Sequence, residues 1–471
     1  FASLVGVISN VMYSYLLIIM LLAVGLYFTL RSRFVQLRLL PESIRVVGEK
    51  TDSNSVSAFQ ALMVSTASRV GTGNIVGVAN AIAIGGYGAV FWMWLIAIVG
   101  GASAFVESTL AQIYKKRDAS GGSYGGPSYY IEAALKSRAL GVVFAIALIA
   151  TYAGGFNMLA SFNLIDSMSN YGFYHQFMMG DRSLVPMIGG AILAILVGIC
   201  IIGGGKQIVR ITGVLVPFMG VFYILMAIAV MILNIGRLPE VFVNILSNAF
   251  DFKAIFGGFA GSAMMQGIKR GLYSNEAGVG SAPNAAAAAN VSHPVKQGLV
   301  QMLSVFIDTI LICTATAMMC LCTGIVPSEE LKGAPFVQES LGTVFGVIGP
   351  YFITFALLLF AFTTLLGNLF YCEGCLNYIA RRTLKNKEMN VFRLFAVVVV
   401  FIGAQLQFGL VWDLADVLMG IMAIINLPVI VILGNTALKC LDDYLVQKKE
   451  GKNPCFKAES IGLEGKTEFW N

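Results

Sequence analysis

The sequence predicts an all-α polytopic membrane protein of about 11 transmembrane helices, arranged as a 5+5 inverted repeat with two discontinuous helices. Three observations lead to this prediction. Of the 471 residues, 57% are hydrophobic and only 12% are charged, whereas a soluble domain carries about 25% charged residues. The apolar residues form long runs, and a bilayer span needs roughly 20 of them. Two of these runs are interrupted by glycines and polar residues.

The apolar runs divide the chain into spans and loops. The first run covers residues 8–30, and the basic, amphipathic segment 31–50 that follows is expected to lie along the membrane surface. Residues 326–346 are predicted to form a polar loop, and the charged tail 438–471 is predicted to be mobile. The other predicted spans are 57–84, 89–114, 141–170, 184–203, 212–236, 254–290, 296–324, 348–380, 391–408 and 411–437.

The distribution of basic residues predicts the orientation in the membrane. Most of the 31 Lys and Arg residues fall in the tail and in the loops after odd-numbered spans. Because loops rich in Lys and Arg stay in the cytoplasm, we expect a multi-pass plasma-membrane protein with an outer N-terminus and a cytoplasmic C-terminus. The net charge of +6 is explained by these loops, so nucleic acid is not expected as a partner.

The two interrupted spans occupy equivalent places in two halves of the chain. Without the first span, five spans begin with the first interrupted helix and five begin with the second. Since five is odd, the two groups enter the membrane from opposite sides, which is the pattern of an inverted repeat. The predicted division is 1–52 (extra helix and amphipathic segment), 53–238 and 239–437 (the repeats) and 438–471 (the cytoplasmic tail).

The first interruption, Ser65–Asn80, reads STASRVGTGNIVGVAN. Three glycines around one turn favour unwinding of the helix, and unwound backbone in a membrane is tolerated only where it lines a cavity. The free amides of Thr72, Gly73 and Asn74 are therefore candidates to bind a carboxylate, with the Asn74 side chain in reach of a substrate or an ion. The alternative is that these glycines only allow helices to pack closely.

Charged residues inside predicted spans are a second candidate for function. Arg69 lies beside the first interruption and Glu276 beside the second. We expect the two to neutralise each other or to line the inner exit path, and the alternative is that Arg69 helps to bind a carboxylate. Asp308 is a further buried acid that could relay protons.

Several motifs together resemble the alanine or glycine:cation symporter family. They are STASRVGTGNIVGVANAIAIGGYGAVFWMW, GGPSYYIEAAL, RGLYSNEAGVGSAPNAAAAA, FIDTILICTATA and TTLLGNLFYCEGC, and they follow the whole chain in order. The resemblance implies the fold of the bacterial leucine transporter, in the APC superfamily. It also implies a sodium-coupled symporter that imports a neutral amino acid.

The resemblance implies a sodium site between the first interrupted helix and the ninth span. Carried over by position, its ligands are the carbonyls of Ala67, Val70 and Phe360 and the hydroxyls of Thr363 and Thr364. All of these are oxygen atoms, which a hard cation such as sodium requires. The alternative is that both threonines bond only to carbonyls of their own helix.

The expected amino-acid site uses both interrupted helices. The segment Ala263–Gly267 is expected to precede the second break, so that Met264, Met265 and Gln266 contact the substrate. Asn368 stands where the family commonly has Trp, and Ser161 aligns with a Gln of the fourth span. A smaller, polar Asn368 suggests a substrate of the alanine and glycine type or a larger polar one such as glutamine.

Three other classes of protein are weighed against this prediction. A proton-coupled amino-acid transporter on the same fold would depend on Asp308 or Glu276 instead of the two threonines. A channel is disfavoured because no filter motif recurs. An enzyme is disfavoured because Ser274 and Glu276 lack a histidine partner. We expect a transporter that requires sodium and works as a monomer in the lipid bilayer.

Overall fold

The computed structural model describes residues 2–49, 55–117, 122–202, 204–250, 262–328 and 331–470. In chain order the helices are α1 (Ala2–Arg31), α2 (Val35–Arg38), α3 (Leu40–Val47), α4 (Ala58–Arg69), α5 (Gly73–Gly85), α6 (Gly88–Ile113), α7 (Pro127–Leu135), α8 (Arg138–Asp166), α9 (Gly172–Gln176), α10 (Val185–Ile201), α11 (Gly204–Leu233), α12 (Leu238–Ser247), α13 (Ala263–Asn275), α14 (Pro283–Ala288), α15 (Pro294–Leu321), α16 (Gly333–Phe345), α17 (Ile348–Ala380), α18 (Asn386–Gly403) and α19 (Phe408–Lys449). Two short antiparallel hairpins pair β1 (Lys116–Arg117) with β2 (Ser123–Tyr124) and β3 (Met178–Met179) with β4 (Arg182–Ser183).

The all-α membrane fold is confirmed. Within the described ranges, seven helices are long and apolar enough to cross a bilayer: α1, α6, α8, α11, α15, α17 and α19. The shorter helices α5 and α10 are apolar as well. The count of eleven spans and the division at 53–238 and 239–437 stay predictions.

The first interrupted helix is broken where its glycines predict. Helix α4 begins with a capping box between Ser57 and Gln60 and ends at Arg69. Val70 leaves the helical conformation with ψ 83°, and α5 begins at Gly73 with a π-helical turn. The segment 70–72 therefore separates two half-helices, and this prediction is confirmed.

The second interrupted helix is broken further along the chain than predicted. Helix α13 runs without interruption through Gly267, where an added Cβ would lie 2.3 Å from the Ala89 carbonyl oxygen of α6. Gly267 thus allows close packing of two helices. The break follows at 276–282, where Glu276, Gly278 and Gly280 have φ values of 52°, 82° and 93°. The predicted span started at 254, and residues 254–261 lie outside the described residues.

Two predicted loops have structure. Residues 326–346 contain the helix α16, whose Phe336, Val337 and Leu341 are buried. The tail was predicted to be mobile from residue 438, which is wrong, because α19 continues to Lys449 and the segment that follows folds back onto the protein. Phe456 is buried in that segment, and its amide donates to the Ser292 carbonyl at 2.9 Å.

Candidate functional site

The break between α4 and α5 is held open by polar side chains. The Gly71 amide donates to Asn74 Oδ1 at 2.8 Å, so the Asn74 side chain fixes the unwound turn. Thr72 caps α5, and its hydroxyl accepts a hydrogen bond from Asn163 Nδ2 of α8 at 3.0 Å. The first amides of a helix have no partner within the helix. The amides of Thr72 and Gly73 therefore lie at the N-terminus of α5, and a helix N-terminus attracts anions.

Aromatic rings cover this break. A Cβ added at Gly73 would lie 2.3 Å from Tyr273 Cε1, so the ring lies directly against the backbone. The Tyr273 ring packs against Phe156 of α8 and Trp412 of α19, with centroids 4.8 Å and 5.2 Å away. Tyr273 belongs to the last turn of α13, immediately before the second break. The two breaks thus meet at an aromatic wall.

Thr364 of α17 contacts the first break. Its Oγ1 donates to the Ala67 carbonyl at 3.2 Å. A Cβ added at Gly71 would lie 2.2 Å from the same Oγ1. This part of the candidate sodium site therefore consists of the Thr364 hydroxyl and the Ala67 carbonyl. The space beside them stays open because Gly71 has no side chain.

Thr363 points back to its own helix. Its Oγ1 donates to the carbonyls of Leu359 and Phe360 at 2.9 Å and 3.2 Å, as membrane threonines often do. Two of the proposed ligands, Thr363 and Phe360, are therefore next to each other. Val70 lies in the break, and its ψ of 83° removes its carbonyl from the helical hydrogen-bond pattern.

Asn368 lies in a chain of polar side chains beside the break. Its Oδ1 accepts a hydrogen bond from Ser68 Oγ at 2.6 Å, and its Nδ2 donates to Asn157 Oδ1 of α8 at 2.9 Å. Each end of the Asn368 amide thus has one partner. Among the described residues, the buried Nδ2 of Asn157 has no hydrogen-bond partner, so Asn157 offers an unpaired donor beside the break.

The structure does not bring four of the predicted substrate residues to the first break. Ser161 donates to the Val400 carbonyl of α18 at 2.7 Å. Two positions along a helix point to nearly opposite sides, and Asn163 is the residue that reaches Thr72. Met264, Met265 and Gln266 lie in the first turn of α13, at the end away from the break. They were expected beside the substrate because the second break was predicted to follow Gly267. That predicted position is wrong, because the break lies at 276–282.

A hydrogen-bond network joins both breaks to α15. The Nδ2 of Asn74 donates to Asp308 Oδ1 at 2.7 Å and to Ser274 Oγ at 2.8 Å. Ser274 and Thr309 donate to Asp308 Oδ2 at 2.7 Å and 2.8 Å. Asp308 has no exposed surface and lies in a π-helical stretch of α15. Asn74 and Asp308 therefore hold the two broken helices together.

Buried charges lie on the other side of the aromatic wall. Arg270 of α13 stacks on Trp412, with its Cζ 4.3 Å from the ring centroid, and pairs with Asp416 at 3.1 Å. Lys269 pairs with the same carboxylate at 2.9 Å and donates to Ser9 of α1 at 2.9 Å. These contacts connect α13 to α19 and to the first span.

Arg69 and Glu276 are not in contact. No nitrogen of Arg69 lies within 4.0 Å of a carboxylate of the described residues, and its Nη1 donates to the Gln301 carbonyl at 3.3 Å. Glu276 accepts a hydrogen bond from Ser281 at 2.6 Å. The expected direct pair of these two residues is therefore absent from the described part of the chain.

Sequence reasoning missed Tyr273 and Asn157, and it aligned Asn163 with an Asn of the family without assigning it to the site. The pattern NMLASFN places Asn157 and Asn163 in an apolar span, where amides need partners, so both could have been selected. Tyr273 gave no signal of its own, because its position beside Gly73 depends on how α13 packs.

Comparison with known proteins gives a consistent result. Residues 1–458 match the model of the sodium:alanine symporter family. The amino-acid carrier protein AlsT of Bacillus subtilis is 44% identical over 100% of this chain and 98% of its own length. The probable sodium/glutamine symporter GlnT of Bacillus subtilis is 42% identical over 99% of this chain and 95% of its own length.

A solved structure supports the fold. The crystal structure of MhsT in complex with L-phenylalanine has a TM-score of 0.54, covers 80% of this chain and 89% of its own, and is 15% identical. At this identity the likeness concerns the fold alone, which is that of the bacterial leucine transporter.

Proposed function

Because the chain belongs to the sodium:alanine symporter family and is a sodium-coupled amino-acid symporter, we propose that it imports a neutral amino acid bound at the break between α4 and α5. The substrate carboxylate binds the amides of Thr72 and Gly73 at the start of α5. The aromatic ring of Tyr273 then covers it. The observation that carries this proposal is the unwound turn 70–72, which α8 contacts at Thr72 and α17 contacts at Gly71.

Sodium, the second substrate, binds one turn away from the amino acid. The proposed ligands are the carbonyls of Ala67, Val70 and Phe360 and the hydroxyls of Thr363 and Thr364. All five are oxygens, and Thr364 Oγ1 already lies 3.2 Å from the Ala67 carbonyl. Since sodium and the carboxylate order the same turn, each increases the affinity for the other.

The amino acid is of the alanine and glycine type or a larger polar one such as glutamine. The relative GlnT is named a probable sodium/glutamine symporter. In this chain the polar chain Ser68–Asn368–Asn157 ends in the free Nδ2 of Asn157, which can donate to the side-chain carbonyl of glutamine. This proposal favours Asn157 over Asn368, because Asn368 Oδ1 and Nδ2 each already have a partner.

The transporter is proposed to act as a monomer in the plasma membrane. The N-terminus lies outside and the C-terminus in the cytoplasm, following the basic loops. Alternating access then moves the breaks between the two faces. The buried contacts of Arg270 and Trp412 lie toward the outer face in this orientation, and substrate leaves toward the cytoplasm.

The test is uptake of radiolabelled alanine into proteoliposomes with an inward sodium gradient. Wild-type uptake requires external sodium, and unlabelled glutamine competes if the pocket accepts larger side chains. Thr364→Val removes a sodium ligand but keeps the shape, and it should raise the sodium concentration for half-maximal uptake at least about tenfold, or about 1.4 kcal/mol.

Thr212→Val is the matched control. Thr212 is buried, and among the described residues its hydroxyl bonds only to carbonyls of its own helix, at 2.9 Å and 3.3 Å. Its replacement should leave sodium dependence unchanged. Uptake without any sodium requirement would overturn the proposal, and equal effects of the two substitutions would exclude Thr364 as a ligand.

A further inference from the structure

The junction between α1 and α2 places basic side chains beside the last turns of α19. Two adjoining cavities, of about 150 Å³ and 520 Å³, lie there. The acids among the described residues that line them are Glu42 and Asp442. Basic residues are more numerous, and we call the two cavities together the basic groove after them: Arg31, Arg33, Arg38, Lys439, Lys448 and Lys449.

Most of the positive charge in the basic groove is not neutralised by the protein. Glu42 pairs with Lys448 at 3.0 Å and also with Arg45, outside the groove, at 2.7 Å. Among the described residues, no carboxylate oxygen lies within 4.0 Å of a side-chain nitrogen of the other five basic residues. The groove therefore carries an excess of positive charge and attracts an anionic ligand.

The arginines of the basic groove keep hydrogen-bond donors for a ligand. Arg31 Nη1 donates to the Tyr27 hydroxyl at 2.9 Å, and Arg38 Nη2 donates to the Ser32 carbonyl at 3.3 Å. In the described part of the chain, the Arg33 side chain has no hydrogen-bond partner. A guanidinium has five N–H donors, and its planar fork matches the oxygens of a phosphate group. The ligand chemistry that fits the groove best is therefore a phosphate.

The turn that carries Arg33 has an unusual backbone conformation. Arg33 and Phe34 have φ values of 54° and 57°, a left-handed region that residues other than glycine seldom adopt. Val35 and Gln36, which follow directly, are buried, so packing fixes the turn and keeps the Arg33 side chain at the surface. Such conformations persist where the surrounding structure compensates their cost, often at ligand sites.

The surface beside the basic groove is apolar and exposed. Leu30 at the end of α1 is 64% exposed, and Phe34 and Leu37 in the next segment are 48% and 55% exposed. Because α1 is long and apolar enough to cross a bilayer, its exposed leucines face acyl chains. The groove begins where this apolar surface ends, which is the level of the lipid headgroups. A phosphate bound there can thus belong to a lipid whose acyl chains cover these residues.

We propose that the basic groove binds the headgroup of an anionic phospholipid. The phosphate diester lies against Arg33 and Arg38, and the acyl chains run along Leu30 and Leu37. Basic clusters next to a transmembrane helix attract anionic lipids, whereas a zwitterionic headgroup would bring a further cation into a groove that already has too many. The bound lipid lies between the α1–α2 turn and α19, and so it connects the first span to the last helix.

The test is native mass spectrometry of the purified protein in neutral detergent, titrated with dioleoylphosphatidylglycerol. This method measures the dissociation constant of the first lipid bound. The wild type should bind this lipid at least about tenfold more tightly than dioleoylphosphatidylcholine. The triple variant with Arg33→Gln, Arg38→Gln and Lys439→Gln should bind phosphatidylglycerol at least about tenfold more weakly than the wild type. Its affinity for phosphatidylcholine should not change.

A second triple variant, with Lys385→Gln, Lys387→Gln and Lys466→Gln, is the matched control. These lysines are exposed, lie outside the groove and have no ion pair within 4.0 Å in the part of the chain that the structure describes. The control loses the same charge and should bind phosphatidylglycerol with wild-type affinity.

Thermal unfolding in the same detergent gives a second readout. Phosphatidylglycerol should raise the unfolding temperature of the wild type and of the control variant, because a ligand of the folded state stabilises it. It should raise that of the groove variant much less. Inorganic phosphate at the same ionic strength should not reproduce the increase, because it lacks the acyl chains.

Each contrary result overturns a defined part of the proposal. Equal affinity of the wild type for the two lipids, or an equal loss in the groove and control variants, excludes the groove as a specific site. Stabilisation by inorganic phosphate alone would assign the groove to a free anion instead of a lipid. If the groove variant is less stable than the wild type without lipid, Arg33→Gln alone replaces it, and full affinity in that variant also overturns the proposal. Neither alanine nor sodium enters these measurements, so their outcome is independent of the symport function.

Discussion

Gly71 is the residue at which a single methyl group has the clearest predicted effect. An added Cβ would lie 2.2 Å from Thr364 Oγ1, closer than real atoms approach, so Thr364 or the break must shift. Gly71→Ala should therefore raise half-maximal sodium for uptake at least about tenfold, equivalent to about 1.4 kcal/mol. The measurement is alanine uptake as a function of external sodium.

Gly220→Ala provides the control for this substitution. Gly220 lies within α11, where an added Cβ meets no atom within 4 Å, and alanine favours helix more than glycine does. Its sodium dependence should equal that of the wild type. A Gly71→Ala protein with unchanged sodium dependence would show that the contact of Thr364 with the break does not matter for sodium.

At the scale of residues, the sequence indicated which segments carry polar residues near the first break. It did not indicate which partner each side chain contacts. Asn74, predicted because unwound backbone in a membrane needs polar partners, lies at the first break, and Thr364, which the family resemblance supplied, contacts the break from α17. Ser161 bonds to α18 instead, whereas Asn163 reaches Thr72. A shift of two positions turns a side chain to the other side of its helix, and an alignment of a single sequence with a family pattern does not fix that rotation.

At the scale of elements, glycines either break a helix or allow two helices to pack closely, and the sequence alone does not distinguish these two roles. Three glycines at 71–77 mark a break, whereas Gly267 allows α13 to approach the Ala89 carbonyl of α6. The second break is instead formed by residues with positive φ at 276, 278 and 280. Which glycine unwinds a helix depends on the neighbouring helix, and this information is present only in the packed structure.

The contact between α13 and α19 leads to a prediction about closure of the site over the first break. Arg270 lies between Asp416 and the face of Trp412, and Trp412 packs on Tyr273 over the break. Arg270→Gln removes the charge and the stacking while Lys269 still pairs with Asp416. Alanine should then bind about tenfold more weakly, a loss of about 1.4 kcal/mol, as measured by equilibrium binding to purified protein.

Arg182→Gln, at an exposed position of β4, is the comparison. It should bind alanine with wild-type affinity and unfold at the wild-type temperature. If Arg270→Gln also kept full affinity, the contacts of Arg270 and Trp412 would only support packing and would not close the site.

At the scale of the whole molecule, the all-α membrane fold could be predicted from the long apolar runs, but the order of the C-terminal tail could not. The segment after α19 is charged and resembles a mobile tail. Its few apolar residues nevertheless find partners, as Trp470 Nε1 donates to the Gln112 carbonyl at 2.7 Å and Lys115 Nζ lies 4.0 Å from the Phe469 ring centroid. Buried Lys115 needs such partners, and this requirement arises only after α6 has been placed.

The same segment allows the proposed orientation to be tested with one native residue. Cys455 is exposed, Cys200 is partly buried and the other six cysteines are buried. A membrane-impermeant maleimide should therefore label Cys455 in inverted vesicles and leave it unlabelled in right-side-out vesicles. Cys455→Ser should remove this labelling and leave alanine uptake unchanged. Labelling from the outer face would place the tail, together with the Ser292 loop to which it is bonded, outside. In that case the basic loops would not set the topology.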